Sequence, residues 1–241
     1  MNLVKGRFIG VGVGPGDPEL LTVKAWRLIQ TADVISYLVN DKGESQAKNI
    51  ASDAIYSATT AQSGIPIYMP MSTDRNKANE AYDQGAAAIA EQLEQGLDVI
   101  FLCEGDPLFF GSFSYLLERL QDRFTCEVVP GITSVNAAAA TLVHPLTMLK
   151  EMFCVVSGRH TDEQILAALK QNDSLVIMKA GQARPRLLKL LTESGRTEDA
   201  QYLEYIGRDN QRIVNDISEL EAEAGPYFSL FVITRSQRNS R

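Results

Sequence analysis

Three apolar runs in this 241-residue chain each end in a turn rich in glycine and proline, and each turn leads into a helix-like pattern. The turns read GVGVGPGDP (residues 10–18), EGDPLFFGS (104–112) and PGITS (130–134). Short apolar runs alternate with helical periodicity along the rest of the chain as well. Such alternation is typical of α/β layers, in which buried strands read as continuous apolar runs. The sequence therefore predicts an α/β fold made of sheets flanked by helices.

Strands and helices are expected to alternate along the whole chain. Strands are expected at 7–13, 33–39, 99–103, 126–129, 152–157, 175–178, 201–206 and 227–234, with a short apolar run at 65–69. Helices are expected at 21–32, 45–58, 76–95, 162–170, 184–194 and 216–223, with further starts at 111–112 and 133–134. The polar stretch 121–123 is the best place to divide the chain, giving two α/β domains, 1–122 and 123–241, of roughly 120 residues each.

Composition limits the class of function. Apolar residues make up 45% and charged residues 22%, as in a globular protein with a sizeable core. The net charge of −7 argues against nucleic-acid binding, which needs a basic footprint, and means that a polyanionic substrate would require a local basic patch. No apolar stretch reaches the roughly 18 to 20 residues of a membrane span. The first residues lack an export-signal pattern, so we expect a cytoplasmic protein.

Cysteine and histidine usage predicts no metal site. The three cysteines, Cys103, Cys126 and Cys154, are widely spaced in strand-like runs and form no CxxC pair. We therefore expect free thiols in the core of a protein from a reducing compartment. Only two histidines, His144 and His160, are present.

The first turn fits neither common phosphate-binding pattern. In G-x-G-x-x-G, the last glycine falls on Pro15 or Asp17, and in a P-loop the second glycine falls on Pro15 or Glu19. Phosphate loops present backbone N–H groups, which Pro15 and Pro18 lack, and Asp17 would repel a phosphate.

The same turn suits a different kind of ligand. Glycine and proline together allow a sharp, rigid turn that presents carbonyl groups beyond the strand's end, where open α/β sheets bind ligands. Carbonyls favour a cationic or hydrogen-bond-donating group. The alternative is a tight strand-to-helix turn that binds no ligand, in which Asp17 or Thr22 caps the helix and Pro18 occupies its first turn.

The second and third turns strengthen the ligand reading. Asp106 precedes Pro107 and is held extended. Each turn also has a simpler explanation: core packing for Phe109 or Phe110, and a helix cap for Thr133 or Ser134. Three such turns at strand ends nevertheless predict one composite ligand cleft.

The motifs GVGPGD (12–17), GDP (105–107) and PGIT before an alanine-rich helix, taken together and in this order, resemble the tetrapyrrole methylases. The resemblance covers essentially the whole chain. The stretches CEGDPLFFGSF (103–113), ESQAKNIA (44–51) and PYFSLFVI (226–233) resemble the C20-methyltransferase branch, which acts on precorrin-2 or cobalt-factor II in cobalamin synthesis.

The resemblance implies a two-domain enzyme that uses S-adenosyl-L-methionine, bound in the cleft between the domains, and releases S-adenosyl-L-homocysteine. It also implies a homodimer. Carried over by motif, the implied cofactor contacts are Pro15, Glu104, Gly105, Asp106, Phe109, Thr133, Ser134, Met178, Gly207, Pro226 and Tyr227. Taken without the family, Met178, Gly207 and Tyr227 read as a core residue, a turn glycine and a buried aromatic residue.

One position departs from the family pattern. In members that act on uroporphyrinogen, the tyrosine that matches Tyr37 is followed by an aspartate considered catalytic, whereas Leu38 follows here. No carboxylate base is therefore assigned at that position. Tyr37, Tyr68 and Glu104 are candidates for removing the proton from the methylated carbon, although each is also explained as a core, turn or cofactor-contacting residue.

The implied substrate carries several carboxylates, for which arginine is the natural partner. The candidates near predicted strand ends or loops are Arg75, Lys77, Lys179, Arg184 and Arg186, and a solvated surface is the simpler reading for most of them. Two other functions stay open at this point. One is a methylase of the same fold that acts on another acceptor, including a protein or RNA residue. The other is a non-catalytic protein that binds an adenosyl ligand.

Overall fold

The computed structural model describes residues 4–59, 61–70 and 74–235. The chain divides into two compact units, Met1–Ser134 and Val135–Arg241, each built on a five-stranded sheet with helices, so the expected α/β class is confirmed. The boundary differs from the expected one after Asp122, because the strand Thr125–Val129 pairs within the first sheet. No helix in the described part of the chain is long and apolar enough to cross a membrane.

The sheet of the first unit is entirely parallel. Its strands are β1 (Arg7–Gly12), β2 (Val34–Val39), β3 (Ser63–Tyr68), β4 (Val99–Cys103) and β5 (Thr125–Val129). They lie in the order β3-β2-β4-β1-β5. Because all five run in the same direction, their carboxyl ends share one edge of the sheet, where the three glycine-rich turns begin.

The helices of this unit cover both faces of the sheet. They are α1 (Val23–Thr31), α2 (Gln46–Ile50), α3 (Ser52–Tyr56), α4 (Arg75–Glu94) and α5 (Phe113–Leu120). Apolar residues of α1, α2 and α3 pack in one core cluster, and those of α4 and α5 pack in another. Consecutive residues of β4 point to opposite faces of the sheet: Phe101 belongs to the second cluster and Leu102 to the first.

The chain therefore leaves the neighbouring strands β1 and β4 towards opposite faces of the sheet, through α1 and α5. A crevice forms at such a switch point in open α/β sheets, and ligands bind there. The first two glycine-rich turns therefore both begin at this switch point, one after each strand.

The second unit has a mixed sheet. The remaining elements are α6 (Ser134–Leu142), β6 (Phe153–Ser157), α7 (Asp162–Gln171), β7 (Ser174–Met178), α8 (Arg184–Glu193), β8 (Ala200–Glu204), β9 (Arg212–Val214) and β10 (Ser229–Thr234). The order is β6-β7-β10-β8-β9, with β6 and β7 parallel and β10 antiparallel to both of its neighbours. The start of β10 consequently lies beside the ends of β7 and β8.

Two expectations about local structure were wrong. The helix expected at 216–223 is only a 3₁₀ turn, Ile217–Glu219, because Ile217 and Leu220 alone are buried while the acidic residues that follow are exposed. The helix expected at 45–58 is interrupted at Ala51, which separates α2 from α3. The short strand β9 was not expected, since it offers one buried residue, Val214.

A buried arginine holds together the amino-terminal ends of β7 and β8. The Arg196 guanidinium donates hydrogen bonds to the carbonyl oxygens of Leu169 (2.8 Å), Asn172 (3.2 Å) and Asp173 (2.9 Å). It also pairs with the Asp199 carboxylate, and both side chains are largely buried. This residue therefore joins the end of α7, the start of β7 and the approach to β8.

We expect Arg196→Met to lower the free energy of unfolding of the second unit by about 3–5 kcal/mol, because it removes the guanidinium that pairs with the buried Asp199 carboxylate and binds three backbone carbonyls. Urea unfolding followed by circular dichroism measures the loss. The exposed Lys189→Met on α8 is the control and should change stability by no more than about 0.5 kcal/mol. A loss below about 1 kcal/mol for Arg196→Met would contradict this role.

Candidate functional site

The turns that follow β1 and β4 are hydrogen-bonded to each other beyond the sheet. The Gly14 N–H donates to the Gly105 carbonyl at 3.3 Å, and the Gly105 N–H donates to the Gly14 carbonyl at 2.8 Å. The Val13 N–H donates to the Cys103 carbonyl at 2.9 Å. Both glycines have positive φ, 81° for Gly14 and 65° for Gly105, a conformation that side chains with a Cβ rarely adopt.

The turn after β5 packs against these two turns, backbone against backbone. A Cβ added to Gly131 would lie 2.0 Å from the Gly105 carbonyl oxygen. A Cβ added to Gly12 would lie 2.6 Å from that oxygen and 2.6 Å from Gly131 Cα. No side chain fits at these positions. We call this contact of Gly12, Gly105 and Gly131 the glycine junction.

Asp106 fastens the junction through its carboxylate. Its Oδ1 accepts a hydrogen bond from the Leu108 N–H at 2.9 Å, and its Oδ2 accepts one from the Gly131 N–H at 3.0 Å. In the first turn, Asp17 Oδ1 accepts from the Glu19 N–H at 2.8 Å. These N–H groups are engaged within the chain, which agrees with the exclusion of a phosphate loop from the sequence.

Both helix caps expected for the first turn are present, together with the glycine junction. Asp17 caps the 3₁₀ turn Pro18–Leu20, and Thr22 caps α1 through a hydrogen bond from the Ala25 N–H at 3.1 Å. Pro15, the residue singled out in this turn, is buried. The two caps determine where the turn ends and α1 begins. The glycine junction determines the position of the turn against the turns that follow β4 and β5.

The edge formed by the three turns is acidic. Their sequences contain Asp17, Glu104 and Asp106, all partly buried, and no lysine or arginine. Such an edge favours a ligand with a positive centre and hydrogen-bond donors. Cys103 beside it is no nucleophile, because burial raises the pKa of its thiol to about 11 and keeps it protonated at neutral pH.

The three candidates for proton removal belong to neighbouring strands of this sheet. Tyr37 lies in β2, where its hydroxyl accepts a hydrogen bond from Lys48 Nζ at 3.2 Å. Tyr68 is the last residue of β3 and is 65% exposed. Glu104 directly follows β4 and is partly buried. Their roles stay predictions.

The predicted contacts in the second unit share one edge of its sheet. Met178 at the end of β7 pairs with Leu230, and Glu204 at the end of β8 pairs with Ser229. The segment that precedes β10, with Pro226 and Tyr227, therefore lies beside the ends of β7 and β8. Gly207 follows β8, and its N–H donates to Gln211 Oε1 at 2.8 Å.

Backbone strain at these edges has no signal in the residue types. Lys179 (φ 54°) and Tyr205 (φ 51°) directly follow β7 and β8, and Phe110 (φ 56°) lies in the turn after β4. Left-handed conformations of residues other than glycine cost energy and concentrate at functional sites. Residue type alone could not reveal them, since none of the three is asparagine or glycine.

Two of the five basic candidates have roles within the fold. Arg184 is buried and bonded to Glu204 and to backbone carbonyls, so the solvated-surface interpretation was wrong for this candidate and its guanidinium is engaged within the fold. Arg186 pairs with Asp162 and donates to the Gly158 carbonyl at 2.6 Å. Arg75 is exposed, with its guanidinium carbon 5.4 Å from the centre of the Tyr115 ring. The two lysines, Lys77 and Lys179, are exposed and partly buried, respectively.

Comparisons with known proteins identify the family of this chain and support its fold. Residues 7–221 match the family model of the Tetrapyrrole (Corrin/Porphyrin) Methylases. The chain is 35% identical to a Precorrin-2 C(20)-methyltransferase of Sinorhizobium sp, over 95% of each chain. It is 30% identical to a Cobalt-precorrin-2 C(20)-methyltransferase of Salmonella typhimurium, over 96% of this chain and 98% of the relative.

A solved structure supports the same grouping. Uroporphyrin-III C-methyl transferase from Thermus thermophilus, complexed with S-adenyl homocysteine, is 26% identical and superposes with a TM-score of 0.65. The alignment covers 95% of this chain and 98% of that one.

We expect Gly131→Ala to lower the free energy of unfolding of the first unit by about 3 kcal/mol, because the added methyl group meets backbone atoms that no rotamer change can move. Urea unfolding measures the change. Gly64→Ala in β3 is the matched control: its nearest atom, the Tyr37 hydroxyl oxygen at 3.3 Å, belongs to a side chain. Equal stability of the two variants would show that the junction is not tightly packed.

Proposed function

Because the chain belongs to the tetrapyrrole (corrin/porphyrin) methylases, we propose that it methylates the C20 meso carbon of precorrin-2, or of its cobalt-containing counterpart cobalt-factor II, in cobalamin biosynthesis. The methyl donor is S-adenosyl-L-methionine. Two relatives that match over nearly their full length carry C20-methyltransferase names, one for precorrin-2 and the other for cobalt-precorrin-2.

The glycine junction is the observation that carries this proposal. It brings three turns together at the switch point of the first sheet, with carboxylates nearby and with amides engaged inside the chain. A sulfonium cation with hydrogen-bond donors fits such an edge better than a phosphate does. The proposed contacts are the backbone and side chains of Pro15, Glu104, Gly105, Asp106, Phe109, Thr133, Ser134, Met178, Gly207, Pro226 and Tyr227.

The chemistry supplied by S-adenosyl-L-methionine, when bound, is an activated methyl group on sulfur, with S-adenosyl-L-homocysteine as the product. The protein's part is to hold donor and acceptor carbon in line. Well-oriented reactants gain effective concentrations on the order of 10⁵ to 10⁸ M. The rigid junction at Gly12, Gly105 and Gly131 suits this task, since its turns are fixed by packing and by the Asp106 carboxylate.

A proton leaves the meso carbon after methylation, and the chain must accept it. Glu104, Tyr37 and Tyr68 remain the proposed candidates. Leu38 offers no carboxylate, so the base differs from the aspartate considered in uroporphyrinogen methylases.

The substrate's carboxylates need cationic partners, and Arg75 is the first choice among the candidates. It is exposed, it forms no ion pair within the described ranges 4–59, 61–70 and 74–235, and its guanidinium carbon lies 5.4 Å from the centre of the Tyr115 ring. A guanidinium that contacts the face of a ring keeps its fork of donors available for a carboxylate.

We further propose a homodimer in a reducing cytoplasm. The three thiols are free, as they are in proteins of such compartments. Val143 and Leu149 are 89% and 84% exposed, which supports a surface that a second copy covers.

The test is incubation with methyl-labelled S-adenosyl-L-methionine and either metal-free precorrin-2 or its cobalt complex. Mass spectrometry should show one added methyl group, and NMR should place it on C20. A reaction mixture without tetrapyrrole is the control. Methylation at another carbon, or of a protein or RNA acceptor, would support a different methylase. Binding of the adenosyl ligand without transfer to any acceptor would support a binding protein.

We expect Arg75→Ala to raise the KM for the tetrapyrrole about 10- to 150-fold, since a charge-assisted hydrogen bond contributes about 1.5–3 kcal/mol. The KM for S-adenosyl-L-methionine should not change. Arg27→Ala, an exposed arginine on α1 at the opposite face of the sheet, is the matched control and should leave both constants unaltered. An equal rise in both KM values for Arg75→Ala would contradict a role in carboxylate binding.

A further inference from the structure

A buried ion pair lies beneath the segment that leads into β10. Arg184, the first residue of α8, is 6% exposed, and Glu204, the last residue of β8, is 7% exposed. Arg184 Nη1 lies 3.4 Å from Glu204 Oε1. The guanidinium carbon also lies 5.6 Å from the centre of the Tyr202 ring, which is fully buried.

The same guanidinium binds the backbone of residues 223 and 224. Its Nε donates to the Glu223 carbonyl at 2.7 Å, and its Nη2 donates to the Ala224 carbonyl at 3.5 Å. The side chains of Glu223 and Ala224 are exposed, so this segment is not held by apolar burial. Its attachment to the sheet at this point comes from Arg184.

The following residues are fixed from a second side by the turn after β7. The Gly225 N–H donates to the Gly181 carbonyl at 2.9 Å. A Cβ added to Gly181 would lie 2.0 Å from the Pro226 carbonyl oxygen, which also accepts a hydrogen bond from the Ser229 hydroxyl at 2.8 Å. Arg184 and Gly181 together therefore determine the course of the backbone at Gly225 and Pro226.

Stability alone is a weak reason for such an ion pair. Burying two charges costs desolvation energy, and replacing a buried pair with apolar side chains is often neutral or stabilising. A guanidinium can instead hold its partners at defined positions, because its donors point in fixed directions towards Glu204 and the two carbonyls. The segment that this geometry orders contains Pro226 and Tyr227.

We propose that Arg184 is a positioning residue for the adenosyl ligand, which acts by fixing segment 223–227 so that Pro226 and Tyr227 adopt the conformation that binds it. This inference rests on the proposed function, which assigns both residues to ligand contacts. When only a fraction of molecules holds the binding conformation, the apparent Kd rises by the inverse of that fraction. Arg184 itself touches neither reactant.

Arg196 provides a matched control within the same unit. It is also a buried arginine, 8% exposed, bonded to backbone carbonyls and one carboxylate, but it lies at the opposite ends of β7 and β8. Arg184→Met and Arg196→Met thus each remove a buried guanidinium that binds backbone carbonyls and one carboxylate, and only Arg184 lies beneath segment 223–227.

The experiment is isothermal titration of each variant with S-adenosyl-L-homocysteine. We expect Arg184→Met to raise the Kd about 10-fold or more, as it would if the binding conformation fell to a tenth of the molecules. The KM for the tetrapyrrole and the kcat at saturating S-adenosyl-L-methionine should be retained. Arg196→Met should bind the ligand as the wild type does, although it is destabilised.

Two further variants keep the test decisive if Arg184→Met does not fold. Arg184→Lys keeps the charge but loses the fork, and should weaken binding less than Arg184→Met. Gly225→Ala keeps Arg184 and displaces the segment, since its Cβ would lie 2.3 Å from the Tyr202 hydroxyl oxygen and 3.0 Å from Arg184 Nη1. It should weaken binding as Arg184→Met does.

The outcomes separate this inference from the proposed function. Wild-type affinity in Arg184→Met and Gly225→Ala would overturn the positioning role, as would an equal loss of affinity in Arg196→Met. Failure of the wild-type protein itself to bind S-adenosyl-L-homocysteine would instead overturn the proposed function, and the positioning role with it.

Discussion

The structure of the first unit depends on the contact of three peptide backbones at Gly12, Gly105 and Gly131. The contact is possible because the strands before these residues, β1, β4 and β5, are parallel neighbours whose ends share one edge. Side chains are excluded, so the turns approach more closely than any other residues allow. A rigid, backbone-lined edge at the switch point of the sheet is the consequence.

The edge of the second unit is ordered by different means. There, close approach of Gly181 to Pro226 is combined with a buried arginine, Arg184, that binds carbonyls of an otherwise exposed segment. The edge of the first unit is ordered by backbone packing, and the edge of the second unit by a charged hydrogen-bond donor as well. Both kinds of contact fix the position of the backbone rather than of side chains, which suits recognition of a ligand through main-chain groups.

Much of this could be predicted from the sequence, because strands, helix starts and the three turns have local signals. Strand order is a property of pairing, so the approach of Gly12 to Gly131 and the place of β5 in the first sheet had no such signal. Arg184 looked like a surface residue because α8 exposes other charged positions. The strained Lys179 and Tyr205 likewise follow from tertiary packing rather than from residue type.

We have proposed that the glycine junction forms the adenosyl-ligand site, and a crystal structure of the protein with S-adenosyl-L-homocysteine tests this proposal. We expect ligand atoms in contact with the backbone of the turns that contain Gly12, Gly105 and Gly131, with the junction unchanged. A ligand bound with no contact to these three turns would contradict it.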